Sequence, residues 1–486
     1  MDTLSELISI LNDNDSKEFK LYLKQKNKRN DVKNIELFSI LKTDDINRLK
    51  KLYGSDKNKD AYHSLRKRLY ESLILFLSNK TFEKNNSEAH EALRLLVVSK
   101  FLLENNLYKP AFKCLQKAEK ISEKLEQYSL LHEILQTKLQ YAFLNDKEDL
   151  EELTDKIIKN QEFLNKETRL NMAYAVLRQA FKNTQTNGEI INLTDLISNI
   201  AEKYHLKPTD FFNYKSIYQI LHLANEYANI QQNFSLIETY VNKAAAIINQ
   251  QSVSNNQQYY HIHILYYLAN FCFRNRLFTD SENYLNQMHE QMHQQNGLYF
   301  NLFWHKYVIL QSLNLHFMGN TQEALQKVTT ELNNLPKKFA AEDVIDLQLC
   351  EAFYLAKQND RSALKSFAKL LHTDIWYEKK MGVVWTIRKN LIEVLMHAQF
   401  TNFDYAITRL QSFKNRYKKY LTKVNEHRII DFVQLVEKYL LNPDIIHKQS
   451  FRDKIISMHH QKENQDVFSL SFINWFIDLW EKTKNS

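Results

Sequence analysis

Only 5 glycines and 4 prolines occur in 486 residues. Glycine supplies the left-handed backbone of tight turns and proline their fixed φ. A chain this poor in both lacks the turns that sandwiches and barrels need. It equally lacks the Gly-rich loops that cradle phosphates in doubly wound nucleotide folds. What remains is an all-α chain of long helices joined by short polar turns. Its 44% of hydrophobic residues supplies a large core and excludes intrinsic disorder. The length exceeds one ordinary core, so two to three domains or a repeat array are expected.

A period near 42 residues runs through the chain, anchored at Ala111, Leu153, Leu196, Ile237, Ser281, Ala324, Ala363 and Ala406. Four residues after each anchor stand Leu115, Ile157, Ile200, Val241, Leu285, Val328, Phe367 and Leu410, all apolar. Three residues before it stand Tyr108, Leu150, Leu193, Phe234, Phe278, Thr321, Asp360 and Phe403, mostly apolar. These three positions share one helical face, which must pack on something. The helix before each turn, such as YYHIHILYYLANFCFRN, is the partner. Each unit therefore reads as a helical hairpin, with two helices of roughly 17 residues and short loops.

In the unit around Ser281, Leu265, Leu268 and Ala269 on the first helix and Phe278, Ser281 and Leu285 on the second form a large–Leu–small–aromatic–small–large series. Ala111, Ala324, Ala363 and Ala406 repeat the second-helix alanine. On these residues the chain resembles the tetratricopeptide-repeat (TPR) family over roughly residues 88 to 440, with units longer than the family's 34 residues. The resemblance implies a TPR-like α-solenoid whose concave surface is lined by first helices. It also implies a non-enzymatic scaffold or adaptor, without cofactor, that binds a peptide or partner helix there. Tyr227, Tyr260, His263, Tyr266, His305 and Tyr307 lie on first helices and are the candidate partner-binding residues.

Residues 1–87 fall outside the period and read as an amino-terminal helical domain, with Asp15 to Glu18 a capping box opening KEFKLYLKQK. The polar stretch 84–87 reads as a linker to the repeats over 88–440, and NQQSVSNNQQ, 249–258, as a join between two of them. Residues 441–486 read as capping helices, with Phe468 to Trp480 covering the exposed edge of the last hairpin.

His289-Glu290-Gln291-Met292-His293 is an H-E-x-x-H sequence, which on a helix sets two imidazoles on one face beside a carboxylate base. Zinc hydrolysis through His289, Glu290 and His293 is thus the remote enzymatic alternative. The polar flanks Asn286, Gln287, Gln294 and Gln295 favour a solvated helix face instead, and no metal is expected. His261/His263 and His459/His460 are spaced so that their rings diverge around a helix. Neither a G-x-S-x-G elbow nor a C-x-x-C pair occurs. Cys114, Cys272 and Cys350, far apart and within helical patterns, fit buried free thiols and a cytoplasmic location.

The net charge of +8 is small for this length. Basic residues nevertheless gather at Lys24, Lys26, Lys28 and Arg29, with Arg66-Lys67-Arg68 later, and again over Lys414–Lys423. They motivate a second class of function, a nucleic-acid-binding or regulatory adaptor using the amino-terminal domain. The opening residues have no basic region followed by an apolar core, so no secretory signal is expected. A membrane span is not expected either.

Overall fold

The computed structural model describes residues 3–9, 11, 13–26, 32–43, 59–84, 88–145, 148–187, 193–207, 214–231, 233–250, 257–335, 341–424, 426–460 and 466–484. Every regular element among them is helical. The chain divides into two compact units, Met1–Leu164 and Asn165–Ser486.

In the first unit, α1 (Thr3–Ser9), α2 (Asp13–Lys26), α3 (Val32–Thr43) and α4 (Lys59–Lys84) bury Leu4, Phe19, Leu23, Phe38, Leu69 and Leu73 together. Phe19 meets Phe38 edge-on at 5.1 Å between ring centroids, a favoured aromatic arrangement. Helix α2 opens two residues before the expected cap. Asp15 and Glu18 turn instead to Lys80 of α4, whose ammonium lies 2.5 Å from Asp15. Next come α5 (Glu88–Glu104), α6 (Tyr108–Lys124) and α7 (Tyr128–Gln140), with Leu96, Leu103, Ala111, Leu115 and Ile134 between them. The linker at 85–87 lies outside the described residues.

Helix α8 runs from Leu150 to Asn187 and contains the division between units. Two helices of roughly 17 residues joined by a short loop were expected over this span. The stretch NQEFLNKETRL contains neither glycine nor proline to break the helix, and the second helix of one unit continues directly into the first of the next.

The second unit continues with α9 (Leu193–Lys203), α10 (Tyr214–Ile230), α11 (Glu238–Gln250), α12 (Gln258–Arg274), α13 (Phe278–Gly297), α14 (Phe300–Phe317), α15 (Thr321–Asn333) and α16 (Ala341–Lys357). Then follow α17 (Ser362–Phe367), α18 (Asp374–Lys380), α19 (Val383–Gln399), α20 (Phe403–Lys423), α21 (His427–Leu441), α22 (Gln449–His460) and α23 (Val467–Lys484). Consecutive helices pack as hairpins, an order compatible with a helical repeat array. The unit anchors Ser281, Ala324, Ala363 and Ala406 are fully buried, as are Leu285 and Val328 four residues on. Anchor helices begin at the expected residues Tyr108, Leu150, Leu193, Phe278, Thr321 and Phe403, and a short 3₁₀ turn at Phe234 leads into α11.

One turn recurs between helices. The amides of Leu107, Gln127, Leu206, Leu277, Asn320, Asp360 and Asn402 each donate to the carbonyl five residues back. The residue before each has positive φ: Asn106, Glu126, His205, Arg276, Gly319, Asn359 and Thr401. This is the Schellman closure, which satisfies the last carbonyls of a helix. Only Gly319 supplies it without a steric penalty. The chain thus makes its turns with few glycines by accepting left-handed strain at ordinary residues.

Two further departures shape the second unit. The second helix after Ala363 stops at Phe367, and Thr373 starts a new one, its hydroxyl accepting from the Trp376 amide. The terminal helix α23 covers the last hairpin, with Phe476 against Phe432, Tyr439 and Phe451. It also reaches far back along the chain. Phe468 packs on Phe273 and Phe317, and Asp466, immediately before the helix, pairs with Arg274.

Candidate functional site

Adjacent first helices are tied by polar side chains spaced about one unit apart. His222 Nδ1 lies 2.8 Å from the Tyr267 hydroxyl, and Asn270 donates to Asn225 at 2.8 Å. Arg274 donates to Asn229 at 2.9 Å. Further along, the Ser312 and Tyr354 hydroxyls are 3.0 Å apart, and Trp385 Nε1 donates to Asp346 at 2.6 Å. These pairs join α10 to α12, α14 to α16 and α16 to α19, each satisfying groups that burial would otherwise penalise.

An aromatic cluster stands on the amino-terminal halves of α10, α12 and α14. The Tyr218 ring lies 4.7 Å from His263 and 5.7 Å from Tyr260, while His263 meets Phe303 edge-on at 4.6 Å. Burial pushes His263 down to about 3, with Lys306 and His222 adding to the effect. Burial likewise lowers His222, helped by Arg178 and Lys306. Both imidazoles are therefore neutral near pH 7. Burial raises Asp346 to about 7 despite the bond from Trp385, with Asp343 and Glu342 adding.

The six candidate partner-binding residues separate into two groups. Tyr227, Tyr260 and Tyr266 are half-buried on α10 and α12. His263, His305 and Tyr307 are buried, with 8%, 5% and 6% of their surface exposed. His305 and Tyr307 face second helices: His305 Nε2 is 3.2 Å from Glu331 of α15, and Tyr307 packs at a tilt 5.2 Å from His289 of α13. Tyr218, His222 and Tyr267 belong to the cluster and were not singled out from the sequence. The spacing of 45 between 222 and 267, 225 and 270, and 229 and 274 is the signal that could have found them.

His289 and His293 are neighbours, with ring centroids 4.5 Å apart. His289 packs at a tilt against Trp304 and Tyr307, His293 meets Phe300 edge-on, and His293 Nδ1 sits 2.9 Å from the His289 carbonyl. Among the described residues no group of three or more His, Cys, Asp or Glu could hold a metal ion. Cys272 and Cys350 are buried, and burial pushes both thiols up to about 12.

Of the basic residues, Lys24 and Lys26 are exposed on α2, whereas Lys28 and Arg29 lie outside the described residues. Lys26 donates to Ser72 at 3.2 Å, so α2 and the part of α4 following Arg66-Lys67-Arg68 lie side by side. In the later basic stretch Lys414 and Arg416 stand in ion pairs, while Lys418, Lys419 and Lys423 are exposed. Lys414 binds Glu437 at 2.7 Å, and Arg416 and the Tyr417 hydroxyl both bind Glu378.

The break between α17 and α18 opens a cleft of about 560 Å³ lined by Asp374, Lys389, Glu393, His397, Tyr405 and Arg409. Its charges are mutually paired: Lys389 with Asp374 and Glu393, Arg409 with Glu393 at 2.8 Å.

No protein-family model, curated protein or solved structure matches this chain. Among the described residues, no helix is long and apolar enough to cross a membrane.

Proposed function

We propose that the repeats form a TPR-like α-solenoid and that the protein is a non-enzymatic interaction scaffold. Its partner, a peptide or helix of another protein, lies along the first helices. The reading rests on one observation: the consecutive first helices α10 and α12 carry half-buried tyrosines, Tyr218, Tyr260 and Tyr266, and are tied by the pairs His222–Tyr267 and Asn225–Asn270 at one 45-residue spacing. Tyrosine offers a large apolar ring with a polar tip, the chemistry enriched where proteins meet. Capture of partners from the source cell by the intact chain and by Tyr260→Ala/Tyr266→Ala tests it. Partners held by the former and lost by the latter are expected; equal capture by both would remove the wall from consideration. Small-angle scattering tests the architecture, since a compact globule of this length has a radius of gyration of about 23 Å and a solenoid a larger one.

A second reading uses the amino-terminal domain as an anionic-ligand surface. It draws on the closeness of α2 and α4, the helices that carry Lys24 and Lys26 and Arg66, Lys67 and Arg68, which share one core and meet at the Lys26–Ser72 bond. Binding of mixed oligonucleotides that weakens steeply with salt, and weakens further in Lys24→Gln/Lys26→Gln, supports it. Absence of binding at low salt ends it.

A further inference from the structure

An apolar cavity of about 540 Å³ lies within the second unit between α8, α9, α10 and α11. Small side chains form part of its α11 wall. Seven residues after the unit anchor, α13 places Met288 and α20 places Phe413, both buried. The same position in α11 is Ala244, followed by Ala245 and Ala246. The side chains facing it, including Leu177, Ile200, Ile217 and Ile220, do not close the space. An apolar hollow of this size forfeits dispersion contacts on every wall and holds no polar partners for water. It falls within the volume range of small-molecule sites.

The lining also says which molecule fits. Leucine, isoleucine and alanine dominate, and the Tyr174 hydroxyl is already given to the Ser216 carbonyl at 3.3 Å. Lys243 is the one charged side chain among the described lining residues, and it is exposed. An apolar interior with a single ammonium at its edge complements a hydrocarbon chain ending in an anion.

We propose that this cavity binds a single-chain amphiphile with an anionic head, a fatty carboxylate, with its chain along α10 and α11 and its carboxylate at Lys243. The site is separate from the aromatic cluster and does not depend on the scaffold reading. A ligand filling it would bind the folded state alone and raise its stability.

Titration calorimetry of the full chain with monomeric dodecanoate, dodecylamine and dodecanol tests the proposal. Saturable one-to-one binding is expected, with dodecanoate preferred over the amine. Between decanoate and dodecanoate, affinity should rise about fourfold per methylene as chain is buried. Ala244→Phe, which places at 244 the side chain α20 carries at 413, should weaken binding at least tenfold while helix content is unchanged. Lys243→Glu alters only an exposed residue and should reverse the preference toward dodecylamine, so the test stands even if the filled variant misfolds. The proposal fails if dodecanoate shows no saturable binding up to its solubility limit. It fails equally if affinity is independent of chain length, or if Lys243→Glu leaves the head-group preference unchanged. Binding to phosphatidylglycerol vesicles without binding of the free carboxylate would mark a membrane-surface contact and also overturn it.

Discussion

Replacing Asp466 with alanine probes the contact that carries the terminal helix back onto the middle of the second unit. The Asp466 carboxylate is wholly buried and pairs with Arg274, whose side chain is 3% exposed. The guanidinium also lies 4.1 Å from the Phe234 ring and 4.9 Å from that of Phe468. Losing one partner of such a pair leaves a charge in low dielectric, which costs about 3–5 kcal/mol, against about 0–1 kcal/mol for an exposed pair. Burial therefore decides the magnitude. Urea denaturation of Asp466→Ala, followed by circular dichroism, should show a loss near that range. The double variant Arg274→Met/Asp466→Ala should recover much of it, because removing both charges of a buried pair is often close to neutral. A loss under about 1 kcal/mol, or a double variant no better than the single, would mean that water or another group stabilises Arg274 and that the pairing does not anchor the helix.

Leu285 is fully buried four residues after its unit anchor, and Leu285→Ala should cost about 2–5 kcal/mol. An unchanged denaturation midpoint would discredit the repeat register there. Thr401 is an exposed β-branched residue at φ 63° that closes a helix, so Thr401→Gly should stabilise by about 0.5–1 kcal/mol despite its looser unfolded chain. A lowered melting temperature would contradict the strain assigned to that turn. Burial holds His261 and His316 at about 4 and His263 at about 3, all below the 6.5 of a free imidazole. The unfolded chain then binds more protons, so these groups favour folding above pH 6.5 and lose that contribution as pH falls toward 4. Urea midpoints should drop across that window, less steeply in His263→Gln; a variant as steep as the parent would place the imidazole in water.

The repeat was readable because it is written in local chemistry. Ala111, Ser281, Ala324 and Ala406 are small where helices cross closely, and Leu115, Leu285 and Leu410 are apolar one turn on, as a buried helical face demands. The left-handed closure of the turns was less so, since Glu126, Arg276 and Thr401 adopt it without any residue preference to announce it. Continuity of α8 was hidden because nothing in the polar stretch 160–170 distinguishes a turn from an exposed helix. Of the candidate partner-binding residues, Tyr260 and Tyr266 are half-buried on α12, whereas His305 and Tyr307 face second helices. Each residue turns a helix by 100°, so assigning a wall requires knowing the neighbours. The cover that α23 gives the last hairpin was readable from its apolar run, but its reach back to Arg274 left no local trace, for Arg274 and Asp466 are 192 residues apart.

That separation has a consequence for synthesis. Arg274 leaves the ribosome long before its carboxylate exists, and at about 5–20 residues per second the interval is on the order of 10–40 s. During it, Phe273 and Phe317 lack Phe468 as well, so the nascent chain displays a cation and apolar rings that the finished one covers. Synthesis of Asp466 and Phe468 therefore ends a period of vulnerability to premature association, and a message truncated before them yields a chain in which that vulnerability is permanent.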